Sequence, residues 1–424
     1  MKKVYGLIIT LLISTSSFAS PILNETAKQY VQLVLALGNH DAAYVDAYYG
    51  PEYLLKISKK NPMGLDKIIA VSKLLQEVLA REKSDDEMVG LRISYLKTQL
   101  NALTAKAQML TGDSDFDFDQ ESKALYDTQA PKIELAEFEK TLTKLEKILP
   151  GDDALSERVE EFKSQFVIPQ DKLKIVFDAA IKACRERTKP FVELLENENF
   201  TLEFVKDKPW SGYNWYKGKA FSLIQVNIEL PIDISRAVDL GCHEGYPGHH
   251  TYNSLLESNL YIKRGWIEYS VYPLYSPQSL IAEGSANYGI EMAFPGNEKL
   301  EFEKKVLYPL AGLNPDSAAQ YKQVTQMLSK LNYAGNEVAR LYRNKKIDAE
   351  KAQKMLQKYA LMSAKKAKQR VRFIDTYGAY VINYNWGKDM VKQWVEAGDD
   401  QSKKGRWKRF AKLLSTPRLP STLN

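Results

Sequence analysis

The spacing of apolar residues is the feature that most constrains the fold of this chain. Between residues 24 and 103 apolar side chains recur at intervals of three and four residues, the period of amphipathic helices that pack on one another. After about Glu196 the pattern changes, because residues 201–205 alternate and residues 220–230 carry many β-branched side chains, as strands do. Helical spacing returns at Ile234 and continues almost to the C-terminus. The sequence therefore predicts a mainly α-helical, multi-helical fold with a small central β-sheet.

The first nineteen residues have the pattern of a secretory signal peptide. Lys2 and Lys3 precede an apolar run at residues 4–13, and small residues with a cleavage position after Ala19 follow. The apolar run is about half as long as a membrane span, and no later segment is long and apolar enough for one. We therefore expect an exported protein, periplasmic or extracellular, without a stable membrane span.

The change of pattern divides the mature chain into an N-terminal helical region, residues 20–195, and a metal-site catalytic region, residues 196–424. The two regions can form one continuous globular unit. The net charge of only +6 is spread along the chain, which argues against a nucleic-acid partner. Export allows a disulfide between Cys184 and Cys242, but isolated cysteines are more often small buried apolar residues. We expect two separate buried cysteines.

Histidine is scarce, with four in the chain, and three of the four lie between positions 243 and 250. His243 followed by Glu244 is how a helix presents an imidazole to zinc while the glutamate faces the water beside the ion. The usual second histidine stands four residues after the first, but Pro247 occupies that place. Because proline cannot donate its amide and Gly248 relaxes the backbone, this helix must kink, bulge or break there.

The second metal ligand is either His249 or His250. On a regular helix His249 lies about 9 Å and about 240° from His243, so the two rings point apart. His250 lies nearly two full turns from His243, so those rings share a face, about 10.5 Å apart along the axis. A bulge that absorbs two residues would bring His249 to the usual place. We favour His249 as the ligand, with His250 as the alternate or as a supporting group.

A third protein ligand is needed, because a catalytic zinc site has three and keeps a fourth position open. Glu283 is the best candidate, since it lies in a helical pattern among small residues that permit another helix to approach closely. Asn287 and Tyr288, one turn later, could hydrogen-bond a metal ligand from behind. The sequence thus predicts one Zn²⁺ per chain.

Two motifs in this region resemble those of a known family. His243-Glu244-x-x-Pro247-Gly248-His249-His250 and, later, Glu283-Gly284-x-Ala286-x-Tyr288 are similar to the pattern of the bacterial family called domain of unknown function 885. The resemblance covers nearly the whole mature chain. It implies a gluzincin-type metallopeptidase fold, with the small sheet next to the metal-binding helix.

The resemblance also implies roles for other residues. Glu244 would accept a proton from the attacking water, and a tyrosine near the C-terminus would donate to the developing oxyanion. By similarity we choose Tyr384, then Tyr380. The extended segment at residues 221–228, which contains Asn227, precedes the metal helix as does the edge strand that pairs with substrate in zinc peptidases. A strand packed inside the sheet is an equal alternative.

Two arginines precede these tyrosines in the chain. Arg370 and Arg372 could hold a terminal carboxylate of the substrate through two parallel hydrogen bonds. Together the motifs favour a zinc metallopeptidase that hydrolyses short peptides. The alternatives are a metal-dependent hydrolase of another amide or ester, and a metal- or peptide-binding protein that does not catalyse.

Overall fold

The computed structural model describes residues 21–112, 114–208 and 210–423. The predicted signal peptide, residues 1–19, lies outside the described residues. Helices dominate the described chain and two small sheets accompany them, so the prediction of a mainly α-helical fold with a small sheet is confirmed. Among the described residues there is no helix that is long and apolar enough to cross a membrane.

The N-terminal region consists of helices that pack side by side, as their apolar spacing predicts. The helix at residues 87–111, for example, begins where the Asp86 carboxylate accepts a hydrogen bond from the Val89 amide at 2.9 Å. The helices are α1 (Pro21–Leu37), α2 (Glu52–Lys60), α3 (Leu65–Arg81), α4 (Glu87–Thr111), α5 (Phe118–Tyr126), α6 (Leu135–Ile148), α7 (Leu155–Ser164) and α8 (Leu173–Thr188).

The strands form two sheets. They are β1 (Val45–Tyr48), β2 (Asn199–Val205), β3 (Gly212–Gly218), β4 (Phe221–Asn227) and β5 (Val271–Pro273). In the larger sheet β4 lies in the middle, parallel to β2 and antiparallel to β3. Of the two alternatives for the segment at residues 221–228, the edge strand is therefore wrong and the strand packed inside the sheet is confirmed, because both sides of β4 are already paired. The edge strands of this sheet are β2 and β3. The smaller sheet pairs β1 with β5, two short segments far apart in the sequence.

The C-terminal region is again helical. Three π-helical turns, Gly241–Gly245, Glu257–Ile262 and Glu303–Leu307, interrupt it. The helices are α9 (Ser235–Leu240), α10 (His249–Leu256), α11 (Pro277–Ala293), α12 (Glu298–Phe302), α13 (Tyr308–Ala311), α14 (Ala318–Ser329), α15 (Ala334–Arg343), α16 (Ala349–Ala360), α17 (Ala364–Tyr377), α18 (Ile382–Glu396) and α19 (Lys403–Leu414).

One large hydrophobic core joins the N-terminal and C-terminal regions. It contains Leu23 and Tyr30 of α1 together with Ile281 of α11 and Trp407 of α19. A second core surrounds α8 and α9. The two regions defined from the sequence thus share their largest apolar core.

Cys184 and Cys242 form a disulfide, with their Cα atoms 5.4 Å apart. The expectation of two separate buried cysteines is wrong. The sequence could not show the pairing, because only the packing of α8 against the turn after α9 brings the two residues together. The bond ties α8 to the residue directly before His243.

Candidate metal centre

The segment after α9 breaks in the way that Pro247 and Gly248 predict. Helix α9 runs into the π-helical turn Gly241–Gly245, the Tyr246–Pro247 peptide bond is cis, and α10 begins at His249. The Gly248 amide donates to the Cys242 carbonyl at 3.0 Å. A Cβ at position 248 would collide with the His243 carbonyl, so this fold-back requires glycine.

The fold-back brings His249 to His243. Their rings meet edge to face with centroids 4.7 Å apart, and their Nε2 atoms are 3.1 Å apart. The Oε2 atom of Glu283, in the middle of α11, lies 3.2 Å from Nε2 of His243 and 3.8 Å from Nε2 of His249. The structure therefore brings together the three residues that the sequence proposed as metal ligands.

These three separations fit a single ion. A tetrahedral Zn²⁺ with ligands at about 2.0–2.1 Å holds its ligand atoms roughly 3.3 Å from one another. The Oε2 atom of Glu283 is buried, and its neighbours among the described residues, the imidazoles of His243 and His249, contact it without well-formed hydrogen-bond geometry. A buried acceptor without a well-formed hydrogen bond is costly, and a cation between it and the two imidazoles would remove that cost. The donor set of two imidazoles and one carboxylate suits zinc.

The charges in this cluster also favour a cation. Burial alone would raise the pKa of the Glu283 carboxyl, but the imidazoles of His243 and His249 hold that pKa well below its usual range. Burial acts to lower the pKa of His249, yet Glu283, helped by the nearby Glu244, raises it to about 9. Glu283 is thus an ionised carboxylate, and the site attracts positive charge.

Glu283 is held from behind by a tyrosine. The Tyr380 hydroxyl donates to Oε1 of Glu283 at 2.9 Å, which leaves Oε2 facing the histidines. Tyr380 was predicted as a second choice for the oxyanion donor, but its hydroxyl is already bonded. Asn287 donates to the backbone carbonyl of Glu283 at 3.0 Å, and Tyr288 bonds Glu396 instead. The support that the sequence assigned to Asn287 and Tyr288 therefore comes from Tyr380.

Glu244 lies beside the cluster without joining it tightly. Its carboxylate and the two histidine rings have ligand atoms within 4.8 Å of one another. Its backbone carbonyl accepts from Asn214 of β3 at 2.7 Å, and a Cβ on Gly212 would lie 2.8 Å from its Oε1. Burial raises the pKa of Glu244, which favours a group that takes up and releases a proton.

His250 belongs to a different network. Its Nδ1 atom lies 2.8 Å from the Ser222 hydroxyl of β4, and its Nε2 atom lies 3.0 Å from Oε2 of Glu198. Glu198 also accepts hydrogen bonds from Tyr246 and from Arg185. The alternative that His250 is a metal ligand is therefore set aside, because both of its ring nitrogens already contact Ser222 and Glu198.

The metal cluster opens into a cleft of about 1440 Å³. Tyr384 lines this cleft, and its hydroxyl has no hydrogen bond within the described part of the chain. This free hydroxyl distinguishes it from Tyr380, whose ring centroid is 5.8 Å away. Residues 212–214 of the edge strand β3 line the same cleft.

The structure separates the three residues predicted to bind substrate. Arg370 lines the cleft. Arg372 is exposed on α17 and does not line the cleft, so the structure does not bring it to the metal cluster. Asn227 is buried and does not line the cleft, and its side-chain amide donates to the carbonyls of Lys208 and Trp210 at 2.9 and 3.1 Å, so the structure does not bring it to the metal cluster.

Sequence reasoning missed Asp46. It stands on β1, about 200 positions before the motif, and accepts a hydrogen bond from the Tyr213 hydroxyl in the wall of the cleft. Burial raises the pKa of Asp46 to about 6. No local motif marks this residue, since only the pairing of β1 with β5 brings it to the site.

Comparisons with known proteins give a likeness of fold. No protein-family model and no curated protein matches this chain. A proposed lipoprotein from Colwellia psychrerythraea matches with a TM-score of 0.52 at 12% identity, over 87% of this chain and 70% of its own. A proposed lipoprotein of unknown function from Shewanella oneidensis matches with a TM-score of 0.46 at 13% identity, over 86% and 74%. The first of these shows that a protein from Colwellia psychrerythraea has a similar fold.

Proposed function

We propose that this protein is an exported zinc-dependent metallopeptidase that hydrolyses short peptides. The observation that carries the proposal is the group of His243, His249 and Glu283, with ligand atoms 3.1–3.8 Å apart and a buried carboxylate oxygen that lacks a well-formed hydrogen bond. A second carboxylate, Glu244, stands within reach of the same point. The resemblance of the two motifs to the family of domain of unknown function 885 agrees with this proposal.

The chain supplies both the ligands and the acid–base group. His243, His249 and Glu283 would hold the ion, and Tyr380 keeps the Glu283 carboxylate turned toward it. Bound zinc supplies Lewis acidity, which polarises a carbonyl and makes a nearby water more acidic. Glu244 accepts a proton from the attacking water and returns one to the leaving amine.

Other residues of the cleft would position the peptide. Tyr384 has a free hydroxyl that can donate to the oxygen on which negative charge develops. The edge strand β3 offers backbone groups to an extended peptide, and it replaces β4 in this role. Arg370 has no carboxylate within ion-pair distance in the described chain and stacks on Phe373, 5.3 Å from its ring centroid. It can hold the terminal carboxylate of a short peptide.

Export to the periplasm or the extracellular space is part of the proposal. The predicted signal peptide supports it, as does the likeness of fold to a proposed lipoprotein.

Substitution of Glu244 tests the catalytic claim. We expect the zinc-loaded wild type to cleave members of a diverse peptide library, and Glu244→Gln to retain zinc while losing at least about a thousand-fold in kcat, because the proton acceptor is gone. Glu77→Gln, an exposed residue of α3, is the matched control and should behave as wild type.

Other outcomes would contradict the proposal. Cleavage by Glu244→Gln at the wild-type rate would remove Glu244 from the mechanism. Zinc binding without cleavage of any peptide would favour a binding protein, and cleavage of simple esters or other amides alone would favour a different hydrolase.

A further inference from the structure

Asp46 stands partly buried in the cleft, and its carboxylate has no ion-pair partner within 4.0 Å among the described residues, although His249, a proposed zinc ligand, acts on its pKa from farther away. The Tyr213 hydroxyl donates to Oδ1 of Asp46. Burial of a charge is costly unless the charge is paired. The Asp46 carboxylate can therefore form an ion pair with a cation that comes from outside the described chain.

Other buried carboxylates of this protein show the usual solution. Glu268 pairs with Arg92 at 2.6 Å, and Asp233 pairs with Lys163 at 2.6 Å. The first pair is fully buried, and the second lines the cleft with its carboxylate already paired. Asp46 differs from both in having no such partner.

The surroundings of Asp46 suit an organic cation. Tyr213, Tyr272 and Tyr377 line the cleft near it. The pKa values of the Tyr272 and Tyr377 hydroxyls are raised, mainly by burial and also by the negative charge of Asp46. The rings of Trp210 and Trp215 lie 5.4 and 4.4 Å from the ring of Tyr213. A carboxylate among aromatic rings favours an ammonium group, through an ion pair and cation–π attraction. A hard metal ion would require more oxygen ligands than one carboxylate supplies.

Asp46 is also close to the reacting centre. Tyr213 on β3 donates to Asp46. Its neighbours on the strand contact Glu244: the Asn214 side chain donates to the Glu244 backbone carbonyl, and Gly212 lies against the Glu244 carboxylate. The charges of Glu244 and Glu283 also act on the Asp46 carboxyl, and all three residues line the same cleft. A cation on Asp46 would therefore lie in the same cleft as the proposed reacting centre.

We propose that Asp46 and the surrounding tyrosines form a binding site for a primary ammonium group of the substrate, either the peptide N-terminus or a lysine side chain. This inference rests on the proposed peptidase function and specifies its substrates. With Arg370 in the same cleft, the enzyme would recognise short peptides by their charged groups.

Peptide binding to the zinc-loaded Glu244→Gln protein tests the site by calorimetry. The probes are tetra-alanine, N-acetyl-tetra-alanine, and the N-acetyl peptide with lysine or norleucine at its first position. A hydrogen-bonded charge pair predicts that an ammonium probe binds roughly ten- to one-hundred-fold tighter than its neutral counterpart. Preference for free tetra-alanine indicates the N-terminus, and preference for lysine over norleucine indicates the side chain.

Asp46→Asn in the same background should reduce that preference to near one, because asparagine keeps an acceptor for Tyr213 and removes only the charge. Asp85→Asn, an exposed residue, is the control and should keep the preference. Equal or absent binding of charged and neutral probes, or a preference that survives Asp46→Asn, would overturn the inference.

The two proposals can fail separately. If the zinc-loaded wild type cleaves no peptide while the Asp46-dependent preference persists, the peptidase proposal fails and the ammonium site stands. If peptides are cleaved without any such preference, only the ammonium site fails.

Discussion

Tyr380 and Tyr384 lie one helical turn apart and contact different parts of the centre. The Tyr380 hydroxyl bonds Glu283, while the Tyr384 hydroxyl is free in the cleft. Two tyrosines one turn apart therefore have different roles. Tyr380 supports the proposed metal ligand, and Tyr384 faces the cleft in which we propose that the substrate binds.

Substitution by phenylalanine should separate these two roles. Tyr380→Phe should weaken zinc affinity by roughly ten- to one-hundred-fold, the usual effect of losing a partner of a metal ligand. Tyr384→Phe should leave zinc affinity unchanged and lower kcat by roughly one-hundred- to one-thousand-fold, as loss of an oxyanion donor does. Zinc titration with a competing chelator and steady-state kinetics measure the two effects. Weaker zinc affinity in Tyr384→Phe, together with a lower kcat but unchanged zinc affinity in Tyr380→Phe, would contradict these roles.

The residue scale also shows how far the sequence predicts the site. His243, His249 and Glu283 follow from residue type, spacing and the expected break at Pro247, and the structure brings them together. The direction in which His250 points depends on how α10 restarts after Gly248, which spacing alone does not determine. Asp46 has no signal in its own segment, because its position depends on the pairing of distant strands.

At the scale of elements, the contact between α11 and α18 sets the position of Glu283. A Cβ on Gly284 would collide with the backbone of Gly387, so the two helices meet backbone to backbone. The small residues around Glu283 in the sequence predicted this close approach. The order of strands in the sheet was not predictable in the same way, since apolar alternation does not state which strand lies in the middle.

Replacement of Gly284 tests that contact. Gly284→Ala should lower the free energy of unfolding by about 1–3 kcal/mol, because the helices must separate, and zinc affinity should fall with it. Gly335→Ala, in α15, is the control: a Cβ there has no neighbour within 4 Å. That substitution should stabilise the protein by about 0.5–1 kcal/mol through helix propensity. Urea unfolding measures both, and equal effects would contradict the packing argument.

On the scale of the whole molecule, two hydrophobic cores and one disulfide connect the N-terminal region to the metal-site region. The larger core draws on α1 as well as α11 and α19, and the bond between Cys184 and Cys242 fixes α8 next to His243. The boundary at residue 195 marks a change in sequence pattern. It does not separate two packing units, because apolar side chains from both regions pack in the same cores.

The disulfide should contribute strongly to stability. A bond that closes a segment of 58 residues restricts the unfolded chain. The chain-entropy relation gives about 4 kcal/mol for that length. The double variant Cys184→Ala/Cys242→Ala should therefore unfold at lower urea, and the wild type should change similarly under a reducing agent. Two titratable thiols in the unreduced wild type would contradict this prediction.

The most direct test of the account is the zinc content of three proteins after zinc loading and removal of unbound metal. We predict about one zinc per chain for the wild type and for His250→Ala, whose imidazole contacts Ser222 and Glu198. His249→Ala should hold far less, because one of three ligands is lost. Circular dichroism should first establish that both variants are folded. A wild type without zinc, or loss of zinc from His250→Ala but not from His249→Ala, would contradict the account.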